Sequence, residues 1–447
     1  MSGFVRSLHF DQAPPLAIPL SFFLTAPVAL ACAGALLLYA GAEALATPWL
    51  PLTIGLTHLG TLGFLGMVMI GALYQLTAVL SGNPVPAVRL AYAVHAIFVV
   101  GVAGLCTGIA GIEPRLVFWS VAALFLSLSG FVVPVAMALL RAPTHNQTVQ
   151  GMRLALASFV VAVAIGLWIA HGHAGMGFPG ARSLWIQVHV SVALIGWVGG
   201  LISSVSWQVL PMFYMSNRMD PRLQRALRLS IALLIVLPAT IVLVDYAVGV
   251  GGTSRLPARL AALGSLPALV IVWGVHPLAT LHALRTRRRK RRDASALFWQ
   301  TGLACAPLVA CAGIAAWWWP EPRLALLFGW LALFGWAGMI VHGMLTRIVP
   351  FLVWFHRFAP LAGTQPTPSA RGLLPDPWAR RAFGLHAATL LLGCIAIVVG
   401  GDVLVRGLGV ALLGVAATLS HTLVRVALRR PASVPSDACR GSFEGGV

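Results

Sequence analysis

Long apolar stretches separated by short polar connections dominate the chain. A helix needs about 20 apolar residues to cross a bilayer, and twelve stretches meet that length. They cover residues 16–42, 51–80, 88–110, 115–140, 152–172, 184–214, 224–248, 257–283, 297–319, 323–351, 378–400 and 402–426. The pattern predicts an all-α integral membrane protein with 12 transmembrane helices in one polytopic domain, 1–430. A Pro-, Ser- and Gly-rich disordered cytoplasmic tail is expected over 431–447.

The composition excludes a water-soluble globular protein. Of the 447 residues, 59% are hydrophobic and only 9% charged, whereas soluble domains carry about a quarter charged residues. Most of the 30 Lys and Arg residues fall in the connections that are cytoplasmic if the N-terminus lies inside, which predicts that both termini are cytoplasmic. The basic run Arg285–Arg292 directly follows a span. It therefore predicts contact with membrane lipids and not with nucleic acid.

Several chemistries lack their sequence signature. There is no phosphate-binding loop, no dinucleotide fingerprint and no HExxH pair, so nucleotide-driven and zinc-hydrolase functions are excluded. The six cysteines form no CxxC pair, which argues against disulfides, an iron–sulfur cluster and covalently attached haem. Glu43, Asp245 and Asp402 are expected near the outer surface, so no carboxylate proton relay crosses the predicted membrane.

Spans 2, 6 and 10 share a glycine pattern. The three segments are Gly63-Phe-Leu-Gly66-Met-Val-Met-Ile-Gly71, Gly196-Trp-Val-Gly199-Gly-Leu-Ile-Ser-Ser204 and Gly335-Trp-Ala-Gly338-Met-Ile-Val-His-Gly343. Each has an aromatic residue between two glycines and a small residue eight positions after the first glycine. The offsets of 133 and 139 residues each correspond to four spans. This spacing predicts three four-helix arcs with pseudo-threefold symmetry; chance similarity between glycine-rich membrane helices is the alternative.

The histidines are the main candidates for function, because ionisable residues inside a bilayer are costly to bury. His58 and His189 lie in the first turns of spans 2 and 6, near the predicted outer face. A haem with two axial histidines needs both at one depth on facing helices. His58 and His189 are therefore candidate ligands of an outer haem b, and an ordinary hydrogen bond between helices is the alternative for each.

A second group of histidines lies deeper in the predicted membrane. Its members are His276, His342, His386 and His421. They are the candidate ligands of an inner haem, and a hydrogen bond between helices is again the alternative for each. His58 stands five positions before Gly63 and His342 seven positions after the equivalent Gly335. The difference of 12 positions corresponds to about 18 Å along a helix, so these two histidines cannot bind the same iron.

The connection before span 6 contains His171, His173 and Met176. Imidazole and thioether groups at this spacing suit copper. The alternative is that a short loop has collected histidine and glycine without binding a metal.

Two family resemblances follow from these residues. The stretch Thr57-His58-Leu-Gly-Thr-Leu-Gly63-Phe64, continuing to Leu76-Thr-Ala-Val79, is similar to the second helix of NnrS-type haem membrane proteins. Twelve helices in a threefold arc, with histidines at the outer ends of spans 2 and 6, resemble the haem–copper oxidase subunit I superfamily. The resemblance implies that His58 holds a low-spin haem and that His189 lies near the position of a copper ligand.

The chain also departs from the oxidase pattern. Ala193 stands where the oxidases have a tyrosine four residues after the span-6 histidine, and span 7 has no histidine pair. Phe328 and Trp330 replace the two haem-ligating histidines of span 10. Oxygen reduction is therefore not expected.

The histidines and these resemblances together imply a haem-binding protein of the bacterial inner membrane, on an oxidase-like scaffold without the catalytic copper. Its partners would be lipids, a diatomic gas such as nitric oxide, and other subunits of a respiratory chain, and its role would lie in nitric oxide or respiratory metabolism or in electron transfer. The alternatives are a 12-helix transporter and a cofactorless assembly factor for respiratory enzymes.

Overall fold

A computed structural model describes residues 12–143, 146–178, 181–248, 255–287 and 293–431, and within these ranges the protein is helical and contains no strand. Twelve helices are long and apolar enough to cross a membrane. They are α1 (Ala17–Leu45), α2 (Pro51–Ser81), α3 (Leu90–Ala110), α4 (Pro114–Arg141), α5 (Gln147–Met176), α6 (Arg182–Tyr214), α7 (Pro221–Val248), α8 (Leu256–Arg285), α9 (Ala294–Trp318), α10 (Pro322–Arg357), α11 (Asp376–Val399) and α12 (Asp402–Ala427).

The twelve predicted spans correspond one to one with these helices. The largest difference is at the end of α10, which continues to Arg357, six residues beyond the predicted end at 351. The apolar residues Leu352–Phe355 continue the helix, and the polar His356 and Arg357 form its last turn. The predicted tail lies outside the described residues except for residue 431, and so do residues 288–292 of the basic run.

The three glycine-pattern helices form the centre of the bundle. In the most apolar part of α2, α6 and α10, 83, 72 and 61% of residues are buried, against 33–50% in the other nine. The outward faces of the surrounding helices instead expose large apolar side chains, such as Trp119 and Phe125 on α4 and Val236 on α7. Lipid chains are the environment that such a surface requires, so the protein is a multi-pass membrane protein.

Each central helix changes from α- to π-helical winding at the same point of the glycine pattern. The π-helical segments are Leu59–Gly66, Val192–Gly199 and Leu331–Gly338. All three are eight residues long, with glycine at the fifth and eighth positions. Their starts are separated by the same 133 and 139 residues as the glycines. The sequence repeat therefore corresponds to a repeated backbone conformation.

The small residue eight positions after the first glycine permits close helix packing. A β-carbon at Gly71 would lie 2.7 Å from the Cβ of Phe22 on α1, and one at Gly343 would lie 2.3 Å from the Cβ of Phe298 on α9. The equivalent Ser204 on α6 approaches Gly151 on α5, where an added β-carbon would lie 2.0 Å from the serine hydroxyl. In each case the neighbour is the preceding helix in the chain.

Other helix contacts recur at the same four-helix interval. The π-helical segments of α2, α6 and α10 pack against α1, α5 and α9 respectively. The next two helices of each set of four also pack together, as α3 with α4, α7 with α8 and α11 with α12. At the centre, the π-helical segment of α10 contacts those of α2 and α6.

Candidate haem and metal site

His58 precedes the π-helical segment of α2 by one residue. Its Nδ1 lies 2.8 Å from the carbonyl oxygen of Ile54, one turn earlier in the same helix. Because a carbonyl can only accept, Nδ1 carries the proton and donates this bond, and in a neutral ring Nε2 then keeps its lone pair. Nε2 makes no hydrogen bond to any described residue, and the side chain is half-buried.

His189 has the same arrangement on α6, but with a partner on a neighbouring helix. Its Nδ1 donates to the carbonyl oxygen of Ala162 on α5 at 2.9 Å, and again no described residue bonds to Nε2. The ring lies over Gly166, where a β-carbon would approach the histidine Cε1 to 2.9 Å. The absence of a side chain at Gly166 therefore makes room for the ring.

These two histidines lie close together at the same end of the bundle. His58 is close enough to His189, and also to His173, to interact electrostatically with each. Metal-ligating histidines commonly donate their other ring N–H to a backbone carbonyl, which fixes the ring and increases the basicity of the ligating nitrogen. His58 and His189 both have this geometry, so each presents an Nε2 that is suited to a metal ion.

His171, His173 and Met176 lie in the last turns of α5 and not in the connection that the sequence predicts, because the helix continues beyond the apolar stretch. His171 is exposed and its ring packs edge-on against Trp168, at 5.8 Å between centroids. His173 packs edge-on against Phe178 at 5.1 Å, and Met176 is 54% exposed. Within the described ranges, no group of three or more His, Cys, Asp or Glu side chains is arranged to hold a metal ion. Copper at these residues stays a prediction.

His276, one of the four deeper histidines, joins two helices by hydrogen bonds. Its Nε2 is 3.0 Å from the hydroxyl of Ser206 on α6 and 3.3 Å from that of Thr280 on its own helix, α8. The Ser206 hydroxyl donates to the carbonyl oxygen of Ser203, so it accepts from His276. This is the interhelical bond that the sequence left open as an alternative to ligation.

His342 and His386 form a buried pair between α10 and α11, with Nδ1 atoms 2.9 Å apart. The Nε2 of His386 donates to the carbonyl oxygen of Phe334. Its Nδ1 therefore accepts in the neutral ring, and the Nδ1 of His342 donates. The Nε2 of His342 is buried and has no hydrogen-bond partner. Phe298 covers one side of this pair, with its ring centroid 4.6 Å from that of His342.

His421 is exposed and separate from this pair. It stacks on Trp378, with 5.3 Å between centroids and an interplanar angle of 22°. Of the four deeper histidines, only His342 and His386 are joined by a hydrogen bond in the part of the chain that the structure describes.

Sequence reasoning missed one polar group inside the bundle. Arg347 on α10 pairs with Asp293, at 2.6 Å between Nη2 and Oδ2, and its side chain is only 12% exposed. The sequence signal for this buried arginine is its position inside the apolar stretch 323–351, five residues after His342.

No protein-family model matches the sequence, and no curated protein is significantly similar to it.

Proposed function

We propose that this chain is a haem b-binding protein of the bacterial inner membrane, with His58 and His189 as the residues that hold the iron. The observation that carries the proposal is their shared geometry. Both rings donate Nδ1–H to a backbone carbonyl, leave Nε2 without a hydrogen-bond partner, and lie within electrostatic range of each other. Bound haem b supplies reversible one-electron chemistry and, with one axial position open, a site for a diatomic gas such as nitric oxide.

The surrounding helices leave space at this depth. Gly60 lies two positions after His58 on α2. When the glycine patterns are aligned, Gly329 on the facing helix α10 corresponds to position 57 of α2. A β-carbon at Gly329 would meet nothing within 4 Å, and one at Gly60 would meet only the end of Leu333. Small residues at these positions let a flat ring approach the backbone.

The repeated packing supports a threefold arrangement of the whole bundle. We infer that α1–α12 form three four-helix arcs about the central helices α2, α6 and α10. The π-helical segments in one register, and their contacts with α1, α5 and α9, support this inference. The arrangement agrees with the resemblance to the oxidase subunit I scaffold and NnrS-type proteins, which favours a role in nitric oxide or respiratory metabolism or in electron transfer with respiratory subunits.

Optical spectroscopy of the full chain tests the haem assignment. The protein is purified in detergent from haem-replete cells, and spectra are recorded oxidised and dithionite-reduced, with and without carbon monoxide. We expect a Soret band that His58→Ala removes and that His421→Ala leaves unchanged, since His421 is a surface residue stacked on Trp378. A protein without any visible absorbance would contradict the proposal and favour the transporter and assembly-factor functions.

The His189→Ala variant distinguishes two roles for the second histidine. If His189 is the sixth ligand, carbon monoxide shifts the spectrum of His189→Ala but not that of the wild type. If the wild-type spectrum already shifts, the sixth position is open and gas binding is favoured over electron transfer.

A further inference from the structure

Arg182 is a half-buried arginine at the end of the bundle that carries His58 and His189. The other arginines at this end of the helices are all exposed: Arg115, Arg255, Arg259, Arg323 and Arg406. Arg182 stands in the first turn of α6, where no acidic residue accompanies it. The helix dipole opposes a cation in the first turn, so the stability of the helix does not account for arginine at this position.

Aromatic packing holds the side chain of Arg182 in place. Its guanidinium carbon lies 4.1 Å from the centre of the Phe178 ring, and a cation over an aromatic face is attracted by the ring. Phe178 in turn packs on Gly172, where an added β-carbon would lie 2.2 Å from the ring, and meets His173 edge-on. The guanidinium is therefore fixed beside the last turns of α5.

In the described part of the chain, no carboxylate neutralises this charge. The ion pairs there involve Arg347, Arg380 and Arg406, and Arg182 makes no hydrogen bond to a described residue. Its Nε is buried without a partner, whereas both Nη groups remain accessible. A partly buried charge is costly unless it is paired. The two Nη groups are therefore suited to an anionic ligand.

Arg182 lies on the same face of α6 as His189, seven residues before it. Seven residues are two helical turns, or about 10 Å along the axis. On the neighbouring helix α5, His173 is within electrostatic range of both Arg182 and His58. Arg182 therefore stands beside the two candidate iron ligands, displaced from them toward the end of the bundle.

We propose that Arg182 binds a propionate carboxylate of the haem through its two Nη groups. The inference rests on the proposed function, because it takes His58 and His189 as the residues that hold the iron. Haem b carries its propionates at one edge of the ring, and a guanidinium group matches a carboxylate in charge and in geometry. The α6 dipole also favours an anion at this end of the helix. Arg182 thus selects the orientation in which the propionates face the end of the bundle.

Titration with two forms of haem tests this role. The full chain is purified in detergent from haem-deficient cells and titrated with haem b or with haem b dimethyl ester, which lacks the propionate charges. The Soret band reports binding. Arg182→Gln removes the guanidinium, and Arg182→Lys keeps the charge without the paired Nη groups. Arg259→Gln, which removes an exposed arginine near the start of α8, is the matched control.

We expect Arg182→Gln to bind haem b about tenfold more weakly than the wild type, because a hydrogen bond to a charged group is worth roughly that factor or more. Arg182→Lys should also bind haem b more weakly, by a smaller factor, and Arg259→Gln should match the wild type. The dimethyl ester should bind to all four proteins alike, since it offers Arg182 no charge.

Two results would overturn the inference and leave the haem site standing. Equal haem b affinities in all four proteins would show that Arg182 does not reach the propionates. Equal weakening of haem b and of the ester by the Arg182 variants would show that this residue only supports the structure. A wild type that binds neither form would instead contradict the proposed function, and this inference with it.

Discussion

At the scale of single residues, the candidate histidines differ in which ring nitrogen donates a hydrogen bond and which is left without a partner. His58, His189 and His342 all donate through Nδ1 and leave Nε2 without a hydrogen-bond partner. His276 instead donates through Nε2 to Ser206. The sequence predicts the depth of each histidine from its position in a span. It does not predict which nitrogen is bonded, because the partners lie on other helices or depend on the local winding of the backbone.

The buried pair His342–His386 should behave as one unit in a double-mutant cycle. His386→Phe leaves the Nδ1–H of His342 buried without a partner, and we expect a loss of about 1–3 kcal/mol in the free energy of unfolding. His342→Phe leaves an unpaired acceptor on His386 and should also destabilise the protein. The double change to phenylalanine should cost much less than the sum, because removing both partners of a buried hydrogen bond can be nearly neutral.

Equilibrium unfolding of the four proteins in detergent measures this coupling, with His421→Phe as the control. Because His421 is exposed, that change should stay within about 0.5 kcal/mol of the wild type. Strictly additive effects of the two buried substitutions would show that the 2.9 Å contact contributes nothing to stability.

At the scale of elements, the glycine pattern marks a repeated backbone conformation as well as equivalent positions in three helices. The pattern predicted equivalent positions in α2, α6 and α10, and the structure shows π-helical winding in that register. The winding itself was not predicted, because periodicity does not distinguish an α-helix from an eight-residue π-helical segment. Such segments are rare and occur often at functional sites, and here they directly follow the turns that carry His58 and His189.

Gly343→Ala should weaken the contact between α10 and α9. The added carbon would lie 2.3 Å from the Cβ of Phe298, and a β-carbon cannot rotate away as a side-chain end can. We expect a loss of about 1–3 kcal/mol in the free energy of unfolding. Gly407→Ala on α12 is the control, because nothing lies within 4 Å of its added carbon. Alanine should raise helix stability there by up to about 1 kcal/mol. A Gly343→Ala protein as stable as the control would contradict close packing at this position.

At the scale of the whole molecule, the sequence predicts what is local and misses what joins distant parts of the chain. The twelve helices follow from runs of apolar residues, and the ends of each were predicted to within six residues. The pairs His342–His386 and Asp293–Arg347 connect positions 44 and 54 residues apart. Both depend on how α9, α10 and α11 pack. Apolar periodicity contains no information about that packing, so neither pair was predicted.

The predicted orientation of the molecule can be tested by labelling single cysteines. With both termini inside, the connection after α5 faces outward and the one between α10 and α11 faces the cytoplasm. Met176 is exposed at the end of α5, next to the first connection, and Thr364 is exposed within the second. In a background with the native cysteines replaced, Met176→Cys should react with a membrane-impermeant maleimide in intact spheroplasts. Thr364→Cys should react only after lysis.

The same experiment locates the proposed haem site relative to the two faces of the membrane. Labelling of Met176→Cys from outside would put His58 and His189 near the outer face, where a haem would be close to periplasmic electron donors. The opposite pattern would contradict the orientation inferred from the basic residues. It would also move His58 and His189 to the inner face, so the orientation of the chain decides which electron donors the proposed haem can meet.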